Sequence, residues 1–291
     1  MPKDQLVNYY VSLQNKWESD LKVALKHSGS ASIHDARVDT KRLRAFLKLI
    51  AVVDKDLDVA PALDSLKRPF KSAGRIRHFQ IQMELTKRHI DNFALKLDWY
   101  YNHLKAQEIS ERHKFKKKCA DLNRRSLDAI PRKLRRILSQ YSHDEIATKI
   151  ARRVESLMSE LRSMNRQSAS ADSDYHAIRI LAKETRYTLE ILRKYAGDSK
   201  GLEHMDAVLT GLHQALGAWH DCDIAVKELA SVQAGLAEVD YVCIDSLNRF
   251  NASLSTERDL QLELFRSRWT DYFGPAAAEP HFKLDALETK D

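Results

Sequence analysis

The chain has 291 residues with 48 Lys+Arg against 41 Asp+Glu, 43% hydrophobic and 31% charged residues, and only 8 Gly and 6 Pro. That composition is globular, leaves too few turn residues for an all-β fold, and contains no apolar run near the roughly 18 residues that span a bilayer. Its three cysteines, Cys119, Cys222 and Cys243, lack CxxC spacing, which argues against a Cys-based zinc site and for a reducing compartment.

Apolar residues recur every three or four positions, so the predicted elements are helices. The first spans Lys3 to Lys26 and ends before Gly29. Its N-terminal segment lacks the unbroken apolar core of a signal peptide, so a cytoplasmic location is expected. A second helix is expected from Ser32, where Ser32 and Asp35 have the spacing of a capping box. A third starts near Leu57 and runs into the 80s with a break or kink at Pro69, and a fourth occupies Asn92 to Leu104. A basic window follows: Glu111 to Arg136 holds eleven Lys/Arg and three acids, a charge of +8, so the rest of the chain sums to −1. Such asymmetry suits a polyanion or an acidic membrane surface, and equally a solvated helix. Four more helices fit Asp144 to Met164, Asp174 to Tyr195, Leu202 to Ala230 and Val239 to Tyr272. Ser168-Ala169-Ser170, Gly197 to Gly201 and Gly235 lie at the boundaries, and an irregular tail runs from Gly274.

The second half repeats the first. His34 to Arg44 aligns without gaps on His176 to Arg186, and Ala73 to Ile81 aligns on Leu216 to Ile224 at nearly the same offset. Two matches in register predict a duplication and two similar helical units. Both copies of the first segment read H-x-x-R-x-x-x-K-x-x-R: His34, Arg37, Lys41, Arg44 and His176, Arg179, Lys183, Arg186. At about 100° per residue those four positions share an arc of about 80°, with Leu43, Phe46, Leu47 and Ile50 on the other side. The stripe therefore faces water or a ligand. On the third helix Lys67, Arg68, Lys71, Arg75 and His78 also cluster, and if the helices are neighbours these faces can line one groove with the stripe.

Like charges at this spacing cost a few tenths of a kcal/mol per pair. A row of phosphates would offset that cost, because Arg and Lys donate charge-assisted hydrogen bonds and His adds a donor that is cationic near neutral pH. The bland alternative is that Asp35, Asp39 or Glu184 neutralise the stripe. Gly74 and Gly217 interrupt helical runs, where each costs about 1 kcal/mol relative to Ala; close helix packing is the expected reason, with room for a ligand as the other.

The doubled stripe, together with the segments Gly74 to Ile81 and Gly217 to Ile224, resembles the CHAD family, the conserved histidine α-helical domain. The resemblance spans both halves. It implies an all-α fold of two four-helix bundles related by a pseudo-twofold axis: 1–108 as first bundle, 109–140 as a basic connector, 141–273 as second bundle and 274–291 as tail. It implies a basic groove at the junction that binds inorganic polyphosphate without catalysis or cofactor, sometimes at polyphosphate granules. Carried over by position, the binding set is His34, Arg37, Lys41, Arg42, Arg44, His176, Arg179, Lys183 and Arg186, with Lys67, Arg68, Lys71, Arg75 and Arg77 of the third helix and His213 and His220 opposite. Glu184 departs from the pattern, standing where the first copy has Arg42, and His78 and Gln80 replace the acids kept in the second copy as Asp221 and Asp223.

Two rivals share some of these residues. Three His-Asp dipeptides (His34-Asp35, His143-Asp144, His220-Asp221) would serve a helical, metal-dependent HD-type phosphohydrolase, although that does not account for the repeated Arg and Lys. A nucleic-acid binder would use the same bases on phosphates, but the stripe has almost no interleaved aromatics or amides to read bases.

Overall fold

The computed structural model describes residues 2–27, 29–120, 122–167, 172–235 and 241–274. Among them the chain forms ten α-helices and no strand: α1 (Pro2–His27), α2 (Ser30–Val53), α3 (Ala60–Phe93), α4 (Asp98–Cys119), α5 (Arg125–Asp128), α6 (Ile130–Leu138), α7 (His143–Gln167), α8 (Asp172–Ala196), α9 (Lys200–Gly235) and α10 (Tyr241–Phe273). The fold is all-α, as expected. No helix among the described residues is long and apolar enough to cross a membrane. The Ser168-Ala169-Ser170 boundary, Val239 and the tail beyond Gly274 lie outside the described residues.

Local chemistry differs from expectation in three places. α2 begins at Ser30 behind Gly29, whose side chain can cap nothing. Ser32 therefore lies inside the first turn, with its hydroxyl donating to the Gly29 carbonyl at 3.0 Å, and the capping box does not form. α3 continues through Pro69 without a break and uses Pro61 in its first turn, where a missing N–H costs nothing. Pro69 is buried, and packing on both flanks outweighs the loss of one backbone hydrogen bond. α3 then runs on to Phe93 and stops where Ala94 turns left-handed at φ 50°, so Asn92 ends a helix where the sequence had one beginning. The cationic run opens inside the last turns of α4.

Neighbours in sequence pack as neighbours in space: α1–α2, α2–α3 and α3–α4 in the first half, α7–α8, α8–α9 and α9–α10 in the second. Across the halves α2 packs on α8 and α7, and α3 on α9. The apolar side of α2 drives its docking. Leu43, Phe46, Leu47 and Ile50 are wholly buried in a core shared with α1, α6, α7 and α8, and each contributes about 1.5–3 kcal/mol by leaving water. A second apolar cluster joins Leu97, Tyr100 and Leu104 to Leu229, Phe250 and Leu254. All three cysteines are free thiols.

Candidate functional site

Because the core claims the opposite face of α2, its stripe is left on the side that α8 presents, and α8 is oriented by the same logic. Ile178, Ala182, Thr185 and Leu189 are buried while Arg179, Lys183 and Arg186 stay partly exposed. The two rows meet. Arg37, Lys41 and Arg44 from α2 and Arg179 and Lys183 from α8 line one open cavity of about 330 Å³, together with Phe70 of α3 and Ile180, Glu184 and Tyr187 of α8.

The guanidinium of Arg37 is fixed by three contacts. It donates to the Phe70 carbonyl at 3.0 Å, lies 4.5 Å over the Phe70 ring, and occupies the space a side chain at position 74 would need, since a methyl group on Gly74 would lie 2.6 Å from Arg37 Nη1. Gly74 thus makes room for a groove residue. Nothing lies within 4 Å of the corresponding point at Gly217, so close packing does not explain that glycine. Arg44 and Lys41 also approach the Phe70 ring, at 5.4 and 5.9 Å. An aromatic face beneath three cations orients them without neutralising them.

Among the described residues, Arg37, Lys41, Arg44, Arg179, Lys183 and Arg186 have no carboxylate within ion-pair distance. Asp39 is taken up by Lys16 at 2.9 Å and Arg42 at 3.5 Å, and Glu184 is held by Lys48 and Arg153 at 2.5 and 3.1 Å. Lys41 of α2 and Lys183 of α8 line the same cavity across the seam, close enough for each to perturb the other's titration. Burial, Lys41 and Arg179 push Lys183 down to about 6. Burial and Arg37 bring Lys41 down to about 8, and burial and Arg77 bring Arg37 to about 10. A partly buried cationic cluster has this signature, each charge disfavouring the next; Asp221 opposes it only in part, favouring the charge on Arg179.

His213 of α9 stands behind the pair. Burial and the charge of Lys183 push it to about 3, and burial with Arg179 pushes His220 to about 4. His34 is lowered as well, by burial and Arg77. His213 and His220 are therefore neutral near pH 7, because burial and the nearby bases both disfavour the imidazolium. His176 and His220 stack at 5.2 Å. Among the described residues, the buried atoms Arg179 Nε and His213 Nε2 have no hydrogen-bond partner; such groups call for water, an ion or a ligand.

Other expected site residues are placed elsewhere. Arg42 turns from the groove to Glu190 at 3.3 Å and to Asp39. It lies one position beyond Lys41, about 100° around the helix. Arg77 sits near the start of α2, bound to Ser30 and Glu84. The expectation that the α3 bases line the same groove is not met for Arg68, Lys71 and Arg75, which line a separate recess with Lys118, while Lys67 pairs with Asp64. α3 sends Phe70 into the groove instead, together with the backbone space at Gly74. Phe70, Tyr187 and Lys48 were missed by sequence reasoning. The signal available was that Phe70, Gly74 and Arg77 share one face of α3 at i, i+4 and i+7. Among the described residues no three His, Cys, Asp or Glu side chains converge to hold a metal ion.

These features define a helical protein with a basic groove between α2 and α8. The family profile described as CHAD domain matches residues 13–230, and the chain belongs to the CHAD family. Among solved structures, the chain is similar to the CHAD domain from the plant Ricinus communis, with TM-score 0.71, 16% identity, and coverage of 91% of this chain and 90% of that one. It is also similar to PptA from Streptomyces chartreusis, with TM-score 0.60, 16% identity, and coverage of 92% and 99%. At such identity these likenesses show the fold. No curated protein sequence matches the chain.

Proposed function

We propose that the protein binds inorganic polyphosphate, without turning it over, along the groove between α2 and α8. The observation that carries this reading is the convergence of Arg37, Lys41 and Arg44 with Arg179 and Lys183 on one cavity in which, among the described residues, no carboxylate lies within ion-pair distance of them. An extended chain of phosphoryl groups supplies oxyanions at regular intervals to both rows, and each guanidinium can engage two oxygens. The orphaned Arg179 Nε and His213 Nε2 add donors for the same ligand or its waters. Membership of the family, which is linked to polyphosphate binding, supports the choice of polymer. The matching neighbour patterns of α1–α4 and α7–α10 support a duplication, with 1–108 and 141–273 as its units and 109–140 as the basic connector. A cytoplasmic location, with association to polyphosphate granules, follows from the same reading.

A thermal-shift titration tests it. Long-chain polyphosphate should raise the melting temperature far more than orthophosphate at equal phosphorus, and the gain should shrink steeply with salt. R37A/R179A should lose more affinity than either single variant, since both halves hold one chain. If nucleic acid and polyphosphate displace each other equally, the protein is a general polyanion binder; if polyphosphate shifts the melting temperature no more than orthophosphate, the reading is wrong.

A further inference from the structure

The bases of α3 that the groove excludes form a site of their own. Arg68, Lys71 and Arg75 of α3 and Lys118 of α4 surround a recess of about 190 Å³ floored by Ser72, a residue only 6% exposed. Among the described residues, Arg68, Lys71 and Lys118 have no carboxylate partner. The one acid in reach, Glu111, approaches Arg75 at 3.7 Å, but the same oxygen is already engaged by Lys114 at 2.8 Å. Four exposed cations therefore rim a recess roomy enough for a phosphoryl group.

We infer that this α3–α4 recess is a second oxyanion site, taking a phosphoryl group of the same phosphate chain that the groove holds. The ligand class rests on the proposed function; the existence of a separate site does not. Lys71 follows Phe70 in sequence, so recess and groove lie about 100° apart on one helix of roughly 10–12 Å diameter, a path of about 10 Å over its surface. A chain leaving the groove can bridge that distance, whereas a short oligophosphate occupies one site or the other. Two linked sites then bind a long chain with avidity, a gain that needs no new contact.

The test compares R68Q/K118Q with R37Q/R179Q and with the charge-matched control R135Q/R136Q in the full chain, by calorimetric titration of tripolyphosphate and of long-chain polyphosphate. The wild type and the control should bind two tripolyphosphates, and each of the other variants one. R68Q/K118Q should weaken long-chain binding by at least about tenfold, well beyond the control. Restoration by R68K/K118R would tie the effect to charge at the recess, and unchanged helical circular dichroism would confirm folding. Should R68Q/K118Q keep the wild-type stoichiometry and match the control for the long chain, the recess is a solvated surface and the inference falls while the groove reading stands. Absence of phosphate-chain binding by the wild type itself would instead remove the proposed function.

Discussion

Loading the groove with phosphate must move protons. Lys41 and Lys183 line one cavity and sit at about 8 and about 6, so at pH 7 Lys183 is about nine-tenths neutral and Lys41 about one-tenth. A phosphate chain between them supplies counter-charge and lifts both toward the ordinary ammonium range, so binding takes up about one proton at pH 7, about 1.5 at pH 8 and about 0.2 near pH 5.5. The sign follows from the direction of the shifts: the free protein holds these amines deprotonated, the complex holds them protonated, and affinity therefore falls as pH rises through 6 to 8. Near pH 7.5 the slope is roughly tenfold per unit. Because the amines titrate as a coupled pair, this proton count stands whichever nitrogen carries the proton. Calorimetry in buffers of different ionisation enthalpy counts the protons directly. Lys183→Met removes the nitrogen that is neutral at pH 7, so uptake at that pH should fall well below the wild-type value. An uptake near zero in the wild type at both pH 7 and pH 8 would refute the depressed titration of this pair.

Gly74→Ala places a methyl group 2.6 Å from Arg37 Nη1, so the guanidinium must leave its seat over Phe70. Helix propensity gains about 1 kcal/mol, and polyphosphate affinity should fall several-fold while the melting temperature holds or rises, a separation a fluorescence titration beside a thermal melt will reveal. Glu184→Gln removes the negative charge from the groove wall and releases Lys48 and Arg153. Affinity should rise by a few-fold in low salt, with the gain fading as ionic strength screens it. Trp17 is wholly buried and donates through Nε1 to Thr40 Oγ1 at 2.9 Å, so Trp17→Ala should cost about 3–5 kcal/mol of stability in chemical denaturation, since a cavity is left behind and Thr40 Oγ1, which still donates to the Ala36 carbonyl, loses the donor it accepts from.

The helices and the polarity of their faces were legible in the sequence because both are local. Residues at three- and four-residue spacing share a face whatever surrounds them, so His34, Arg37, Lys41 and Arg44 could be assigned to one stripe of α2, and Leu43, Phe46 and Ile50 to its buried side, from periodicity alone. The recurrence at His176 to Arg186 set the second stripe in the same way. Pro69 and Ser32 misled for the converse reason: a local signal of about 1–3 kcal/mol yields when a helix is held along its length by packed neighbours.

Which stripes meet was decided only by tertiary structure. The approach of Lys41 to Lys183, the insertion of Phe70 under three cations, and the diversion of Arg68, Lys71 and Arg75 to their own recess all depend on how α2, α3 and α8 are rotated about their axes, and that rotation is set by cores formed from residues more than a hundred positions apart. Protonation belongs to the same category. A lysine's charge is fixed by its burial and by the charges packed around it, quantities that exist only once the chain has closed on itself.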